Sequence, residues 1–220
     1  MTDTAAALGE VELFRNFTPE ERTRVASDAV ERQLDRGDVL FDEGDESSHL
    51  FVVTEGRVAM ANRSDDGRES LVALMEPGDL FGEMPLFDGL GRSAAARALE
   101  PSAVITVPYA PVQAVYRERP DLLWSVLELM AARLRATDSA LADSVFLDVT
   151  GRTAKRLLEL AGDSDEFELP VTQEELAGMV GASRERVNKA IAAFVKLGWI
   201  TQDAGRYEIA DRERLTIRAR

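Results

Sequence analysis

The sequence predicts an α+β protein in which an N-terminal β-roll of the jelly-roll kind precedes a long helix and a C-terminal winged helix-turn-helix. Three observations support this fold class. Short apolar segments separated by glycine-bearing turns fill the region from Leu34 to Val107. An apolar heptad pattern follows Pro120. After Val171, a helix start signal, a glycine turn and a second amphipathic segment occur in succession.

The N-terminal region has the pattern of a β-meander. The predicted strands are Val39–Phe41, Leu50–Thr54, Arg57–Asn62, Leu71–Met75 and Ala103–Val107. Residues 36–41 and 76–81 both place a Gly-Asp turn before an apolar step, as the corners of a roll require. Asp65-Asp66-Gly67 predicts a hairpin tip.

The heptad pattern predicts one helix of about 25 residues, which begins near Pro120. Its seam consists of Leu123, Leu127, Met130, Leu134, Thr137, Leu141 and Ser144. We expect a homodimer through Leu127, Met130, Leu134 and Leu141, because a single copy leaves this stripe in water. The alternative is that the stripe packs only on its own roll. Thr137 places a hydroxyl in the middle of the seam.

Composition excludes several classes of protein. The chain has no cysteine, so disulfides, cysteine-ligated zinc and iron–sulfur clusters are excluded. No apolar run approaches the roughly 20 residues of a membrane span, and the N-terminus lacks a signal peptide, so we expect a cytoplasmic protein without a membrane partner. The net charge is −14, yet residues 171–220 hold nine Lys or Arg against seven Asp or Glu. The acidic excess therefore lies outside the C-terminal module.

The C-terminal pattern predicts two helices around a turn. Thr172 and Glu175 form a capping-box signature that opens a short helix ending at Val180. Gly181 permits the turn, and Ser183 is predicted to cap a second helix. The second helix has an inward apolar stripe of Val187, Ala190, Ile191 and Phe194.

The outward face of the second helix carries groups that can read DNA. Arg184, Glu185, Asn188 and Lys189 lie in its N-terminal half, the part that enters the major groove in this motif. Arginine and lysine can pair with guanine, and glutamate can accept from cytosine. The alternative is an ordinary solvated face. A wing hairpin is predicted at Trp199-Ile200-Thr201, Gly205 and Tyr207-Glu208-Ile209, and the predicted phosphate contacts are Arg212, Arg214, Arg218 and Arg220.

The segments from Val171 to Ala177 and from Gly181 to Lys189 resemble the C-terminal signature of the CRP/FNR family of transcription regulators, and most closely its actinobacterial CRP members. The similarity covers nearly the whole chain. It implies that Arg184, Glu185 and Lys189 read bases of double-stranded DNA, with Thr172, Ser183 and Asn188 in the same interface. It also implies a palindromic operator and RNA polymerase as a partner. The family often has arginine where this chain has Lys189.

A second cluster lies at residues 81–94. Gly82 lets backbone approach a ligand, Glu83 can accept from a ribose hydroxyl, and Arg92 and Ser93 can bind phosphate oxygens. Alone, these residues favour a surface salt bridge over a ligand site. Between a β-roll and a dimerisation helix, however, the cluster resembles the phosphate-binding cassette of cyclic-nucleotide-binding domains, and Met84 belongs to it.

The resemblance implies cyclic AMP as an allosteric ligand, with Thr137 and Asp138 at the purine. Asp138 stands where a neutral residue is usual, and a carboxylate matches the donor edge of guanine. Responses to cyclic GMP or cyclic di-GMP, or activity without ligand, therefore stay open.

Two other classes of protein compete with this interpretation. A jelly-roll enzyme of the cupin kind needs several converging metal ligands, whereas His49 is the single histidine, so we expect neither a metal nor catalysis. A haem-sensing regulator would have the same C-terminal motif. The expected domains are a cyclic-nucleotide-binding sensor at residues 1–119, a dimerisation helix and hinge at 120–147, and a DNA-binding domain at 148–220.

Overall fold

The computed structural model describes residues 4–63, 69–203 and 205–220. The chain divides into two compact units: the sensor unit, Met1–Leu134, and the C-terminal unit, Arg135–Arg220. The predicted hairpin tip at Asp65-Asp66-Gly67 lies outside the described residues.

The helices and strands have the following bounds. The helices are α1 (Thr4–Glu10), α2 (Pro19–Ala26), α3 (Met84–Asp88), α4 (Tyr109–Glu118), α5 (Leu123–Phe146), α6 (Val149–Ala161), α7 (Gln173–Val180), α8 (Arg184–Lys196) and α9 (Arg212–Arg218). The strands are β1 (Val30–Leu34), β2 (Val39–Phe41), β3 (His49–Glu55), β4 (Val58–Arg63), β5 (Glu69–Met75), β6 (Leu80–Phe81), β7 (Ala95–Ala98), β8 (Ser102–Pro108), β9 (Glu166–Glu168), β10 (Ile200–Asp203) and β11 (Arg206–Ile209).

The predicted roll is confirmed as two antiparallel sheets in the sensor unit. One sheet has the strand order β1-β8-β3-β6, and the other has the order β2-β7-β4-β5. Each predicted strand is present within two residues of its expected bounds. No sequence pattern predicted β1, β6 or β7.

Strand β3 shows how the two sides of one sheet are filled. Leu50 and Val52 belong to a core shared with α1, α2 and α4, whereas Phe51 and Val53 belong to the core between the sheets. Successive side chains point to opposite faces of a strand, so β3 is buried on both faces and reads as a continuous apolar run.

The long helix begins after a 3-10 turn at Pro120–Leu122 and ends at Phe146, close to its predicted length. Leu127, Leu134 and Leu141 are all more than half exposed, as expected of an apolar stripe that packs against a second helix in a dimer. Met130 is different, because it is partly buried against the core of its own roll. Met130 was predicted as a dimer contact, but it already packs within its own subunit.

The C-terminal unit contains the predicted helix-turn-helix and wing. Helix α6 begins at Val149, because the Asp148 side chain accepts from the Gly151 amide at 2.8 Å and caps the helix there. The sheet order is β10-β11-β9. Glu166 begins β9, where it pairs with Glu208 of β11.

Candidate nucleotide pocket and DNA-reading surface

Gly82 follows β6 at the point where the sensor unit must bring backbone close to a buried side chain. Its φ of +76° is in the left-handed region, and a Cβ there would lie 2.5 Å from Arg92 Nη1. Any larger residue would collide with the guanidinium. The position of the Arg92 guanidinium therefore requires glycine at residue 82.

Arg92 is almost completely buried, with 6% of its surface exposed. Its Nη1 donates to the Gly82 carbonyl at 2.8 Å and its Nη2 to the His49 carbonyl at 2.7 Å. The guanidinium carbon lies 4.0 Å from the centre of the Phe41 ring. Burial lowers the pKa of Arg92, and contacts with Tyr109 oppose that shift. Nε is buried without a hydrogen-bond partner among the described residues.

Glu83 is fully buried. One of its carboxylate oxygens pairs with Arg133 of α5, and Arg133 also donates to the Leu80 carbonyl at 2.7 Å. Burial raises the pKa of Glu83, while the charge of Arg133 opposes the rise. The other oxygen, Oε2, has no hydrogen-bond partner within the part of the chain that the structure describes.

Two residues of this site, Arg133 and Tyr109, were not predicted from sequence. The Tyr109 hydroxyl donates to the Gly82 carbonyl and contacts Ser47, and burial raises the pKa of its phenol. Arg133 could have been singled out as a charge beside the α5 seam. No sequence pattern predicts that the Tyr109 hydroxyl lines the pocket, because a tyrosine at the start of a helix is equally typical of apolar packing.

The remaining predicted pocket residues are more exposed. Met84 begins α3, and the Ser93 hydroxyl lies 3.6 Å from its sulfur. The structure thus brings together Gly82, Glu83, Met84, Arg92 and Ser93 within the sensor unit. Thr137 and Asp138 are exposed on the part of α5 that belongs to the C-terminal unit. Their assignment to the purine stays a prediction.

This cluster fits a phosphorylated ribose chemically. A buried guanidinium bonded to neutral carbonyls keeps its positive charge available to an anion, and its Nε still lacks an acceptor. Glu83 Oε2 is an acceptor without a donor, as a ribose hydroxyl would supply. Buried polar atoms without partners are rare in folded proteins, so two in one cluster point to a ligand.

The DNA-reading motif of the C-terminal unit is built by the capping box that the sequence predicted. Thr172 Oγ1 accepts from the Glu175 amide at 3.2 Å, and Glu175 Oε2 accepts from the Thr172 amide at 2.7 Å. Gly181 ends α7 in the left-handed conformation, with a φ of +66°. The inward stripe of α8 is buried at Val187, Ala190, Ile191 and Phe194.

The predicted DNA-contacting side chains Arg184, Glu185, Asn188 and Lys189 are all exposed on α8. Ser183 occupies the N-cap position, as predicted, but its side chain makes no capping hydrogen bond. The prediction that its hydroxyl caps the helix is therefore wrong in this structure, and the hydroxyl is left exposed.

The wing is confirmed as the antiparallel pair β10 and β11. The arginines expected to contact phosphate mostly have carboxylate partners within the unit: Arg212 with Asp165, Arg214 with Asp211, and Arg218 with Asp148. Arg220 is exposed at the end of the chain. A phosphate contact by any of the first three has to compete with an internal ion pair.

No helix in the described ranges is both long and apolar enough to cross a membrane.

Two protein-family models match the sequence. The family model of the cyclic nucleotide-binding domain matches residues 31–119, and the family model of the Crp-like helix-turn-helix domain matches residues 151–217. These matches contain the pocket cluster and the reading helix, respectively.

Similar proteins extend these matches over the full chain. The CRP-like cAMP-activated global transcriptional regulator of Mycobacterium tuberculosis is 36% identical over 97% of this chain and 98% of its own. The cAMP-activated regulator Vfr of Pseudomonas aeruginosa is 34% identical over 71% of this chain and 78% of its own. The catabolite activator protein of Thermus thermophilus is 31% identical, with a TM-score of 0.53 over 94% of this chain and 98% of that one. The chain therefore belongs to the CRP/FNR family of DNA-binding transcription regulators.

Proposed function

We propose that this regulator is a homodimer that binds cyclic AMP in its sensor unit and a palindromic operator of double-stranded DNA through its two copies of α8. The observation that carries the ligand assignment is that two buried charged side chains of one cluster each keep an uncommitted polar atom: the Nε donor of Arg92 and the Oε2 acceptor of Glu83. The relatives named as cAMP-activated support the choice of the adenine nucleotide.

In the bound state each pocket residue has a distinct role. Arg92 binds the cyclic phosphate, and Ser93 adds a hydroxyl donor. Glu83 accepts from the ribose 2′-hydroxyl, while Gly82 keeps the backbone near the ligand and Met84 covers it. Thr137 and Asp138 contact the purine, with one of the two contributed by the partner helix.

The DNA contacts follow from the exposed face of α8. Arg184, Glu185 and Lys189 read base edges in the major groove, and Thr172, Ser183 and Asn188 contact the neighbouring backbone. A symmetric dimer presents two such helices, so half-sites about 34 Å apart on one face of the duplex are expected.

Further parts of the proposal follow from family membership. The protein acts in the cytoplasm, contacts RNA polymerase, needs no metal and is not an enzyme. Its division into a sensor at 1–119, a dimerisation helix at 120–147 and a DNA-binding domain at 148–220 is part of the same proposal.

A guanine nucleotide is the second candidate ligand, because Asp138 is an exposed carboxylate at the position predicted to meet the purine. The N1 and N2 donors of guanine lie side by side and match two carboxylate oxygens, whereas adenine offers only its amino group on that edge.

Calorimetric titration of the purified full chain with cyclic AMP, cyclic GMP and cyclic di-GMP tests the ligand. We expect cyclic AMP to bind most tightly, and it should then strengthen binding of a fluorescent palindromic operator. Tighter binding of a guanine nucleotide would establish the second candidate. Binding of none of them, together with operator binding that needs no addition, would overturn the ligand assignment and leave a constitutive DNA-binding protein.

A further inference from the structure

Three elements of the C-terminal unit meet at a small notch of about 260 Å³. Helix α7 contributes Gln173, helix α8 contributes Asn188, Ile191 and Ala192, and strand β10 of the wing contributes Gln202. The notch therefore lies where the first helix of the motif, the reading helix and the wing come together. The base-reading scheme above gives no role to Gln173.

Gln173 links the first turn of α7 to the central strand of the wing sheet. Its Nε2 donates to the Tyr207 hydroxyl at 2.7 Å. Tyr207 lies on β11, between β10 and β9, and only 3% of its surface is exposed. Its ring stacks on Phe167 of β9 at 5.5 Å, so the hydroxyl is held at a fixed place in the sheet.

This hydrogen bond fixes the position of the wing relative to α7, which apolar packing alone leaves adjustable. Helices α7 and α8 pack against each other through buried apolar side chains, and the wing joins α8 through the chain at Gly198 and Trp199. Apolar packing is non-directional, whereas a hydrogen bond between the partly buried Gln173 amide and the buried Tyr207 phenol has a preferred geometry. Gln173 Oε1 is also buried and has no hydrogen-bond partner among the described residues. The amides of Asn188 and Gln202, on the same notch, are donors that could supply one.

We propose that Gln173 is a positioning residue for operator binding, which holds the wing in register with the reading helix through Tyr207. The proposal rests on the DNA-binding function proposed above and assigns Gln173 no base contact. Gln173 Nε2 already donates to Tyr207, so we expect its effect on DNA binding to act through the placement of α8 and the wing.

The test compares Gln173→Met with Tyr207→Phe in the full-length protein with cyclic AMP. Each substitution keeps the size of the side chain and removes the same hydrogen bond. We expect each to weaken binding of a palindromic operator by about threefold to tenfold, as the loss of one hydrogen bond predicts. The double variant should bind no more weakly than the weaker single variant, because one shared bond is lost only once. Gln33→Met, on the sensor strand β1, is the matched control and should bind as the wild type does.

Hydrogen exchange adds a readout that separates positioning from direct contact. In the operator complex, amides of Arg206–Ile209 should exchange faster in both single variants, while those of α6 stay unchanged. If Gln173→Met weakens binding and Tyr207→Phe does not, Gln173 contacts DNA itself and the proposal is wrong. If both variants only unfold at lower temperature and bind normally, the bond is merely structural and the proposal is again wrong. Failure of the wild type to bind any palindromic operator would instead refute the proposed function.

Discussion

Arg92 is an unusual cation because its hydrogen-bond partners in the structure are backbone carbonyls and a phenol. Burial of a charge is costly unless the charge is paired, and the depressed pKa of Arg92 reflects that cost. The carbonyl oxygens of Gly82 and His49 accept from Nη1 and Nη2 without neutralising the charge. A cyclic phosphate would supply the missing negative charge, which is the physical reason to expect binding at this residue.

Replacement of Arg92 by alanine should therefore abolish most of the affinity for cyclic AMP. Hydrogen bonds to charged groups contribute about 1.5–3 kcal/mol, which predicts a dissociation constant about tenfold to a hundredfold higher. Calorimetric titration measures it directly.

Arg97→Ala is the control for this substitution. Arg97 lies on β7, close in sequence, but pairs with Glu69 at 3.3 Å and has no predicted ligand contact. Its loss should leave nucleotide affinity within about twofold of the wild type, as is usual for substitutions away from a site. Equal affinity of Arg92→Ala and wild type would place the pocket elsewhere.

Glu83 should make the stability of the sensor unit fall as pH rises. Burial raises its pKa in the folded state above the ordinary value of 4.5, so the folded protein holds this proton over a pH range in which the unfolded chain has lost it. The contribution of protonated Glu83 to the free energy of unfolding is fully present below pH 4.5 and is lost as pH rises through the raised pKa. Glu83→Gln removes this titration.

Thermal unfolding without nucleotide, from pH 5 to pH 8, measures this effect. The melting temperature of Glu83→Gln minus that of the wild type should increase with pH. Glu43→Gln, an exposed change in the turn after β2, should show a constant difference. A constant difference for Glu83→Gln would mean that Arg133 keeps the carboxylate charged throughout.

At this scale the sequence predicted the polar residues that stand in a short motif. Gly82, Glu83, Arg92 and Ser93 lie within a dozen positions, so their spacing was visible. Arg133 reaches Glu83 from 50 residues away, because α5 folds back along the roll. Such a pairing depends on tertiary packing, and a local pattern does not encode it.

At the scale of single elements, the two helix caps of the reading motif differ in strength. Thr172 makes both bonds of a capping box, whereas the Ser183 side chain makes none. Thr172→Ala should therefore lower the free energy of unfolding by about 1 kcal/mol. Ser183→Ala should change it by less than about 0.5 kcal/mol, the usual size of a surface substitution.

Urea unfolding followed by circular dichroism measures both changes. Thr172→Ser keeps the hydroxyl and should retain most of the wild-type stability. A loss at Ser183→Ala as large as that at Thr172→Ala would show that Ser183 caps α8 in solution, contrary to this structure.

The sensor-unit strands that were not predicted from sequence share one property: their side chains do not have strand-like patterns. Strand β7 consists of Ala, Ala, Arg and Ala, and alanine has little intrinsic preference for a strand. It pairs between β2 and β4, where Ala96 and Ala98 are fully buried and little room is left for larger side chains. Strand β1 is polar and mostly exposed, so it lacks alternation, and β6 has only two residues. Strands with an apolar face were predicted because burial sets their pattern.

The exposed stripe of α5 should hold the dimer together. Leu141 is 63% exposed in the single chain, and a carboxylate at this position would be buried without a partner in the proposed interface. Leu141→Glu should therefore convert the dimer to a monomer at micromolar concentration. Light scattering coupled to size-exclusion chromatography measures the mass.

Ala132→Glu adds the same charge to the opposite face of α5, two positions before Leu134, and should remain dimeric. Ala132 is exposed and lies outside the apolar heptad positions. A monomeric wild type, or a dimeric Leu141→Glu protein, would show that the stripe serves another purpose.

At the scale of the whole molecule, ligand and DNA affinities can be linked only through contacts that differ between two states of the dimer. The proposed link is Thr137, an exposed polar residue between Leu134 and Leu141 in the α5 seam. A purine that contacts Thr137 of one subunit and Asp138 of the other adds contacts between subunits in only one arrangement of the two helices. The nucleotide then favours that arrangement, and the DNA-binding units at the ends of the helices follow it.

Thr137→Leu should therefore strengthen association of the helices while it weakens the dependence of DNA binding on nucleotide. Leucine completes the apolar seam, so the arrangement that the ligand would favour gains stability without the ligand. Operator affinity is titrated with and without cyclic AMP for both proteins, and the ratio of the two dissociation constants is compared. We expect the ratio to fall toward one in the variant, mainly through tighter binding without nucleotide. A variant that keeps the wild-type ratio would show that Thr137 only packs in the seam, and that the coupling runs through other residues.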